Sequence, residues 1–250
     1  MATSSLSKKL EICCYSVLSC TYAEKGGANR IELCAGRPEG GTTPSWGTVK
    51  AALEAVQIPI YLMIRPRGGD FCFNAYERAA MLEDIYSLKS LNPGGFVIGA
   101  LKPNGTVDWD VIDEQMEAIG NFPVTFHRAF DMCINPEEAL EGLVERGVQN
   151  ILTSGLHQQA IEGLIELRRF VDLAAGRINI MAGSGVKPGN ILQIAVTGAH
   201  AFHFSATEIL QSPMSFRNPR INMGAKVDEF LLYEADVEQI RHAKNLIETI

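Results

Sequence analysis

Long apolar runs, a surplus of basic residues and paired cysteine motifs are all missing from this 250-residue chain. Each absence removes a class of function. No stretch approaches the roughly 20 apolar residues needed to span a bilayer, so no membrane partner is expected. The opening Met1-Ala2-Thr3-Ser4-Ser5 lacks the basic stretch and apolar core of a secretory leader. Lys and Arg number 22 against 29 Asp and Glu, a formal net charge of −7. Broad binding of nucleic acid or anionic lipid needs clustered cations, so neither is expected. The six cysteines include no Cys-x-x-Cys and no Cys/His pair at zinc spacing. They read as free thiols in a reducing compartment, which makes the cytosol the expected location. Walker loops and Gly-x-Ser-x-Gly elbows are also missing.

What is present is an alternation of short apolar runs with helix-length amphipathic segments. The strand candidates are residues 10–15, 30–34, 60–65, 96–101, 123–129, 150–154, 178–182 and 201–205. Thr43-Pro44 and Asn135-Pro136 pair a capping side chain with a proline suited to the first helical turn. Gly26-Gly27, Gly120, Gly147 and Gly198 stand where helices should end. Eight β-then-α units with short connectors favour a parallel sheet, and eight is the number that closes a barrel. An open doubly wound sheet is the alternative. It is disfavoured because Tyr15-Ser16-Val17-Leu18 stands where a Gly-x-Gly-x-x-Gly would follow the first strand. The expectation is one α/β domain, a single (β/α)8 TIM-type barrel over residues 1–250. Its one long excursion, 207–228, is expected to be a lid or a subunit contact.

Side chains alternate along a strand, so each strand has one parity facing the helices and one facing the barrel axis. The outward parity is apolar: Ile12, Ile31, Leu33, Ile60, Leu62, Ile64, Val124, Phe126, Ile178, Ile180, Phe202 and Phe204. The inward parity then carries Glu11 and Cys13, Glu32 and Cys34, Tyr61, Met63 and Arg65. Further round it carries Thr125 and His127, Asn179 and Met181, His203 and Ser205. Barrel interiors are ordinarily filled with Val, Ile and Leu. Buried charges must be paired, so one reading is a closed network in which Arg65 and the histidines satisfy Glu11 and Glu32. The convergence of these groups on the strand C-termini, where barrel enzymes carry their chemistry, points instead to a site.

Several runs stand out: Arg30-Ile31-Glu32-Leu33-Cys34, Glu39-Gly40-Gly41-Thr42-Thr43-Pro44-Ser45 and Ile64-Arg65-Pro66-Arg67-Gly68-Gly69-Asp70-Phe71. Val124-Thr125-Phe126-His127-Arg128-Ala129-Phe130-Asp131-Met132 and Leu152-Thr153-Ser154-Gly155 join them. Together they resemble the CutC family, proteins named for copper homeostasis, over nearly the whole chain from Glu11 to the C-terminal helix. The resemblance implies a TIM-type barrel, a cytoplasmic location, a homo-oligomer and binding of Cu(I). In such proteins the proposed copper ligands are cysteines of the first two strands, which correspond here to Cys13 and Cys34.

Thiolates select Cu(I) over harder ions. Cys13 and Cys34 are expected at equivalent inward positions on neighbouring strands ~4.8 Å apart. Cys14 points the other way, and Cys20, Cys72 and Cys133 have no such partner. The competing reading is that buried cysteines act as small hydrophobes. A different function class rests on other residues. Arg65, Arg67 and Arg128, near Asp70, Asp131 and His127, suit a small anionic or phosphorylated substrate. Glu11, Glu32 and His127 could supply acid and base, while the competing reading of the three arginines is an ion-pair network with Asp70 and Asp131 bracing the loops. Gly183-Ser184-Gly185-Val186, before a helix expected near Lys187-Pro188, resembles a phosphate cradle completed by His203 and Ser205. No lysine occupies an inward strand position, which argues against a Schiff-base aldolase and leaves an isomerase- or lyase-like step.

Overall fold

The computed structural model describes residues 8–218, 220–221 and 228–250. Eight parallel strands close into a barrel in chain order. They are β1 (Lys9–Cys14), β2 (Arg30–Leu33), β3 (Ile60–Met63), β4 (Gly95–Ile98), β5 (Val124–Phe126), β6 (Asn150–Thr153), β7 (Asn179–Gly183) and β8 (Ala201–Phe204). The helices between and after them are α1 (Val17–Lys25), α2 (Trp46–Ala55), α3 (Ala75–Lys89), α4 (Trp109–Ile119), α5 (Pro136–Glu145), α6 (Leu164–Ala174), α7 (Ile191–Ala195) and α8 (Val237–Ile247). The eight expected strands are all present, several shorter at their C-terminal ends. β5 stops at Phe126 because the His127 side chain accepts from Ala129 N and starts a 3-10 turn over Arg128–Met132.

The outward parity forms the main core. Ile12, Ile31, Leu33, Ile60, Leu62, Phe126, Ile180 and Phe202 are all buried in one cluster against the helices. Burying a side chain of this size stabilises the fold by about 1.5–3 kcal/mol, so the strand-to-helix layer supplies most of the stability. Inside the barrel the apolar groups split into two smaller clusters. One holds Cys13, Cys34, Tyr61, Met63 and Val97, the other Leu152, Met181 and Ala201.

Local details correct two expected caps. Helix α2 starts after Ser45, whose side chain accepts from Thr48 N, rather than at Thr43-Pro44. Thr43 Oγ1 instead accepts from Arg65 N, tying the loop after β2 to the end of β3. Asn135 precedes α5 with Pro136 in its first turn, but its side chain donates to Glu138 and makes no backbone cap.

The excursion after β8 begins as a strand, β9 (Thr207–Gln211), paired antiparallel with β10 (Leu231–Ala235). Residues 219 and 222–227 of the expected 207–228 segment lie outside the described residues. The ribbon is anchored to α1: Ser16 and Ser19 donate to Glu234, and Ala235 N donates to Ser19 Oγ at 3.0 Å. Arg37, from the loop after β2, stacks over Tyr233 at 4.1 Å. The ribbon thus borders the C-terminal mouth of the barrel.

Gly95 shows how tightly the interior is filled. A Cβ there would lie 2.6 Å from the Pro123 carbonyl oxygen and 2.8 Å from the Tyr61 ring. Gly95→Ala is expected to destabilise the barrel by about 1–3 kcal/mol, the usual range for overpacking, read as a lowered midpoint in urea unfolding.

Candidate functional site

The register of β1 against its neighbours assembles a buried charge cluster. Glu11 faces Arg30 across β2 and His203 across β8. Its carboxylate forms an ion pair with Arg30 and accepts from His203 Nδ1 at 2.7 Å. Arg30 also stacks over Tyr61 at 4.2 Å. His203 Nε2 lies 3.7 Å from Glu32 Oε2. Burial alone would push the Glu11 pKa up, but Arg30 and His203 outweigh it and hold it down at about 2. Burial likewise opposes the charge on His203, yet Glu32, Cys13 and Glu11 hold its pKa well above the ordinary value.

One inward step toward the mouth stands the sulfur pair. The β1–β2 register places Cys13 beside Glu32 rather than beside Cys34, so the two cysteines are staggered and not at equivalent positions. Their Sγ atoms are nevertheless 3.9 Å apart. Cys34 Sγ lies 3.5 Å from Glu32 Oε2. The hydrogen bond with Cys34, and beyond it the charge of His203, holds the Cys13 thiol well below its usual pKa. Burial and the neighbouring Cys13 push Cys34 well above its own. Burial, reinforced by Cys13, raises Glu32 in the same way. The cluster thus favours the charged forms of Cys13 and His203 and the neutral forms of Cys34 and Glu32. One ligand atom each from Cys13, Glu32 and His203 fits within a mutual distance of 4.8 Å. Cys14 turns away and meets the Ile12 carbonyl instead, as its parity predicts.

Above the sulfurs a cavity of about 110 Å³ is lined by Cys13, Glu32, Arg65, Phe71, His127 and Arg128, among others. It shares Cys13, Tyr15, Arg128 and His203 with a broader depression of about 440 Å³. His127 is buried, and its Nδ1 accepts from Ala129 N at 3.1 Å. Burial, then repulsion from Arg65, lowers its pKa to about 3, so the ring is neutral with its proton on Nε2.

The arginines divide between two roles. Arg67 pairs with Asp70 and Glu77 and donates to the Gly68, Asp70 and Cys72 carbonyls, bracing its own loop outside the cavity. Arg128 pairs with Asp131 at 2.8 Å and donates to Ser154 Oγ. Asp131 also accepts from Thr153 and from the backbone of Ser154 and Leu156, so it acts as a brace beneath the mouth. Arg65 does not reach Glu11 or Glu32, which corrects the network expected from sequence. The partner of Glu11 is Arg30, which shares the inward parity of Glu32 and Cys34 and could have been identified from that parity.

The expected phosphate cradle is only partly assembled. Ser184, Gly185, His203 and Ser205 line the broader depression. Gly183 belongs to β7, where a Cβ would meet the Leu152 side chain at 2.4 Å, so its smallness serves packing. The following helix starts at Ile191, not near Lys187, and has five residues. Ser184 Oγ donates to the Gln158 carbonyl at 2.7 Å.

A parallel barrel with sulfur and paired charge in its interior defines the class; comparison with known proteins gives the family. The CutC family model matches residues 8–208. A CutC family protein of Bacteroides fragilis is 45% identical over 242 residues, covering 96% of each chain. The human copper homeostasis protein cutC homolog is 43% identical over 245 residues, 95% of this chain and 90% of that one. A solved Streptococcus agalactiae structure, described as a candidate copper homeostasis protein CutC, superposes with a TM-score of 0.76 at 33% identity. It covers 79% of this chain and 98% of the other. Thiamine phosphate pyrophosphorylase from Pyrococcus furiosus shares the fold alone, at TM-score 0.60 and 14% identity over 98% and 97% of the two chains. The chain belongs to the CutC family.

Two outcomes follow from this electrostatic arrangement. Arg30→Met leaves Glu11 buried without its main counter-charge and should cost roughly 3–5 kcal/mol. Adding Glu11→Gln should recover part of that loss in a urea-unfolding cycle. His127, ordinarily near 6.5 and here about 3, binds its proton more readily when unfolded. Its contribution is therefore complete above pH 6.5 and lost as pH falls from there towards 3. The stability difference between the native protein and His127→Gln should accordingly narrow on acidification, measured by unfolding at a series of pH values.

Proposed function

We propose that this CutC protein binds Cu(I) through Cys13 and Cys34, with Glu32 and His203 at the edge of the same site. The supporting observation is the 3.9 Å separation of the two sulfurs. Two thiolates that share one metal at about 2.3 Å each must lie within ~4.6 Å of one another. The donor set fits the ion: sulfur is preferred by Cu(I), and carboxylate and imidazole stand close enough to join or neutralise it. The lowered pKa of Cys13 eases its ionisation. Cys34 must release a proton, so binding is expected to acidify an unbuffered solution. Burial of both sulfurs favours an ion held in the +1 state over a freely exchanging one.

The same reading places the protein in the cytosol, where its thiols stay reduced. All six cysteines are free, and no helix among the described residues is long and apolar enough to cross a membrane. It also makes the protein a homo-oligomer, with the ribbon after β8 as lid or subunit contact. Exposed Ile209, Met214 and Phe216 on that segment support an interface role.

Anaerobic titration with Cu(I) against a competing chelator tests the metal reading. One equivalent should bind, with affinity reduced at least ~100-fold in Cys13→Ser and in Cys34→Ser, as expected when one of two thiolates is removed. Cys133→Ser, far from the pair, should match the native protein. Unchanged affinity in both ligand variants would overturn the assignment.

A further inference from the structure

Five buried side-chain nitrogen or oxygen atoms among the described residues have no hydrogen-bond partner, and three of them belong to residues lining the 110 Å³ cavity. They are Glu32 Oε1, Arg65 Nε and His127 Nε2. A buried polar atom left without a partner costs about 1–3 kcal/mol. Arg65 Nε and His127 Nε2 are donors, and burial favours a protonated Glu32 carboxyl that can donate as well, so the three together call for an acceptor.

Arg65 is 5% exposed. Its Nη1 donates to the Glu39 and Gly41 carbonyls and its Nη2 to Gly69, so the outer nitrogens hold two loops together. None of these partners is a carboxylate, and among the described residues Arg65 has no ion pair within 4 Å. A buried guanidinium without a counter-charge is costly. Its Nε–H remains open.

His127 presents the second donor. Since Nδ1 accepts from Ala129 N, the ring proton sits on Nε2, and that N–H also lacks a partner. The ring is held in place. A Cβ on Gly99 would lie 2.4 Å from it, and Phe71 packs on it at 4.9 Å between centroids. Phe71 also lies beneath the Arg65 guanidinium at 5.0 Å. The same aromatic ring therefore contacts both donors, and Met63 and Leu152 complete an apolar part of the wall.

An unpartnered cationic N–H and an unpartnered neutral N–H, buried in the wall of one small, partly apolar cavity, call for two acceptor atoms that share a negative charge on a short carbon body. We propose that this cavity binds a small organic carboxylate, held by the Nε–H of Arg65 and the Nε2–H of His127. Its volume suits a carboxylate with a few carbons, given that one water occupies about 30 Å³. The opening toward the broader depression, bordered by Arg37, Arg128 and Lys187, admits an anion by electrostatic attraction. The sulfur pair takes no part in holding the ligand, so this site stands or falls independently of copper binding.

Metal-free, reduced protein titrated with formate, acetate, pyruvate and malonate tests the proposal by calorimetry and by ring-nitrogen NMR. At least one of these should bind saturably and shift the His127 Nε2–H resonance. The matching amide should bind at least about tenfold more weakly, because hydrogen bonds to a charged group contribute about 1.5–3 kcal/mol. His127→Phe should weaken carboxylate binding by a similar factor while leaving Cu(I) affinity unchanged. Arg65→Lys should weaken it further, and if that variant unfolds, the His127 resonance and His127→Phe still decide. No saturable binding of any of the four acids up to about 20 mM would overturn the site. So would equal binding of acid and amide, or an unmoved His127 resonance.

Discussion

A carboxylate fixed inside a barrel has to be neutralised there, and Glu11 imposes that condition on the rest of the interior. It is 1% exposed and ionised. Breaking such a pair costs several kcal/mol, although the pair itself adds little net stability. Arg30 answers Glu11 from β2 and needs a platform, which Tyr61 supplies from β3. Tyr61 in turn needs space, which Gly95 on β4 leaves open. Four consecutive strands are thus tied to one charge. On its other side Glu11 holds His203, whose charge adds to the Cys34 hydrogen bond in lowering the Cys13 pKa. Chemistry at the sulfur pair is set up two residues earlier on the same strand.

Much of this was legible before any coordinates. Eight short apolar runs of even spacing, interleaved with helical segments, leave few topologies besides a closed parallel barrel. Period-two parity then sorted Glu11, Cys13, Glu32, Cys34, His127 and His203 to the inside. Parity does not give register. The stagger that seats Cys13 beside Glu32 arises from the shear of a closed barrel, and no property of either strand's own sequence contains it. Partnering failed for the same reason. Arg65 looked like the counter-charge to Glu11 because both face inward, but it lies near the strand's far end, whereas Arg30 lies at the matching height. The strands β9 and β10 were missed because they pair across some twenty residues and bury only one edge, so neither shows clean alternation.

The mouth separates cations that brace from a cation left open. Arg67 and Arg128 each face carboxylates in their own loops, where short-range ion pairs are screened and structural. Sequence proximity, Arg67 to Asp70 and Arg128 to Asp131, already hinted at this. Among the described residues Arg65 has no carboxylate within 4 Å, and it is the one buried among backbone carbonyls. Composition and motif treat the three arginines alike, yet burial and partners make only one of them an open donor. The Gly183–Gly185 turn teaches the same lesson in reverse. Its glycine at 183 is required by Leu152, so the smallness that resembles a ligand cradle is there for packing.

The sulfur pair and the anion cavity share a wall, which constrains how they can operate together. Arg30 and His203 face Glu11, and His203 also faces Glu32, so positive and negative groups stand opposite one another in the inner cluster. On the proposed reading, adding Cu(I) while Cys34 loses its proton would add one positive and one negative charge and leave the net charge of the cluster unchanged. A barrel interior can therefore accept the ion without a new counter-charge, because the release of a proton offsets the charge of the metal. Arg65 is outside that balance, with no carboxylate of its own, and an arriving carboxylate would complete it. The two sites thus ask for ligands of opposite sign a few side chains apart, and neither requires the other to be vacated. Such spacing lets an organic acid and a metal ion occupy one mouth together, with Glu32 and Cys13 as the partition between them.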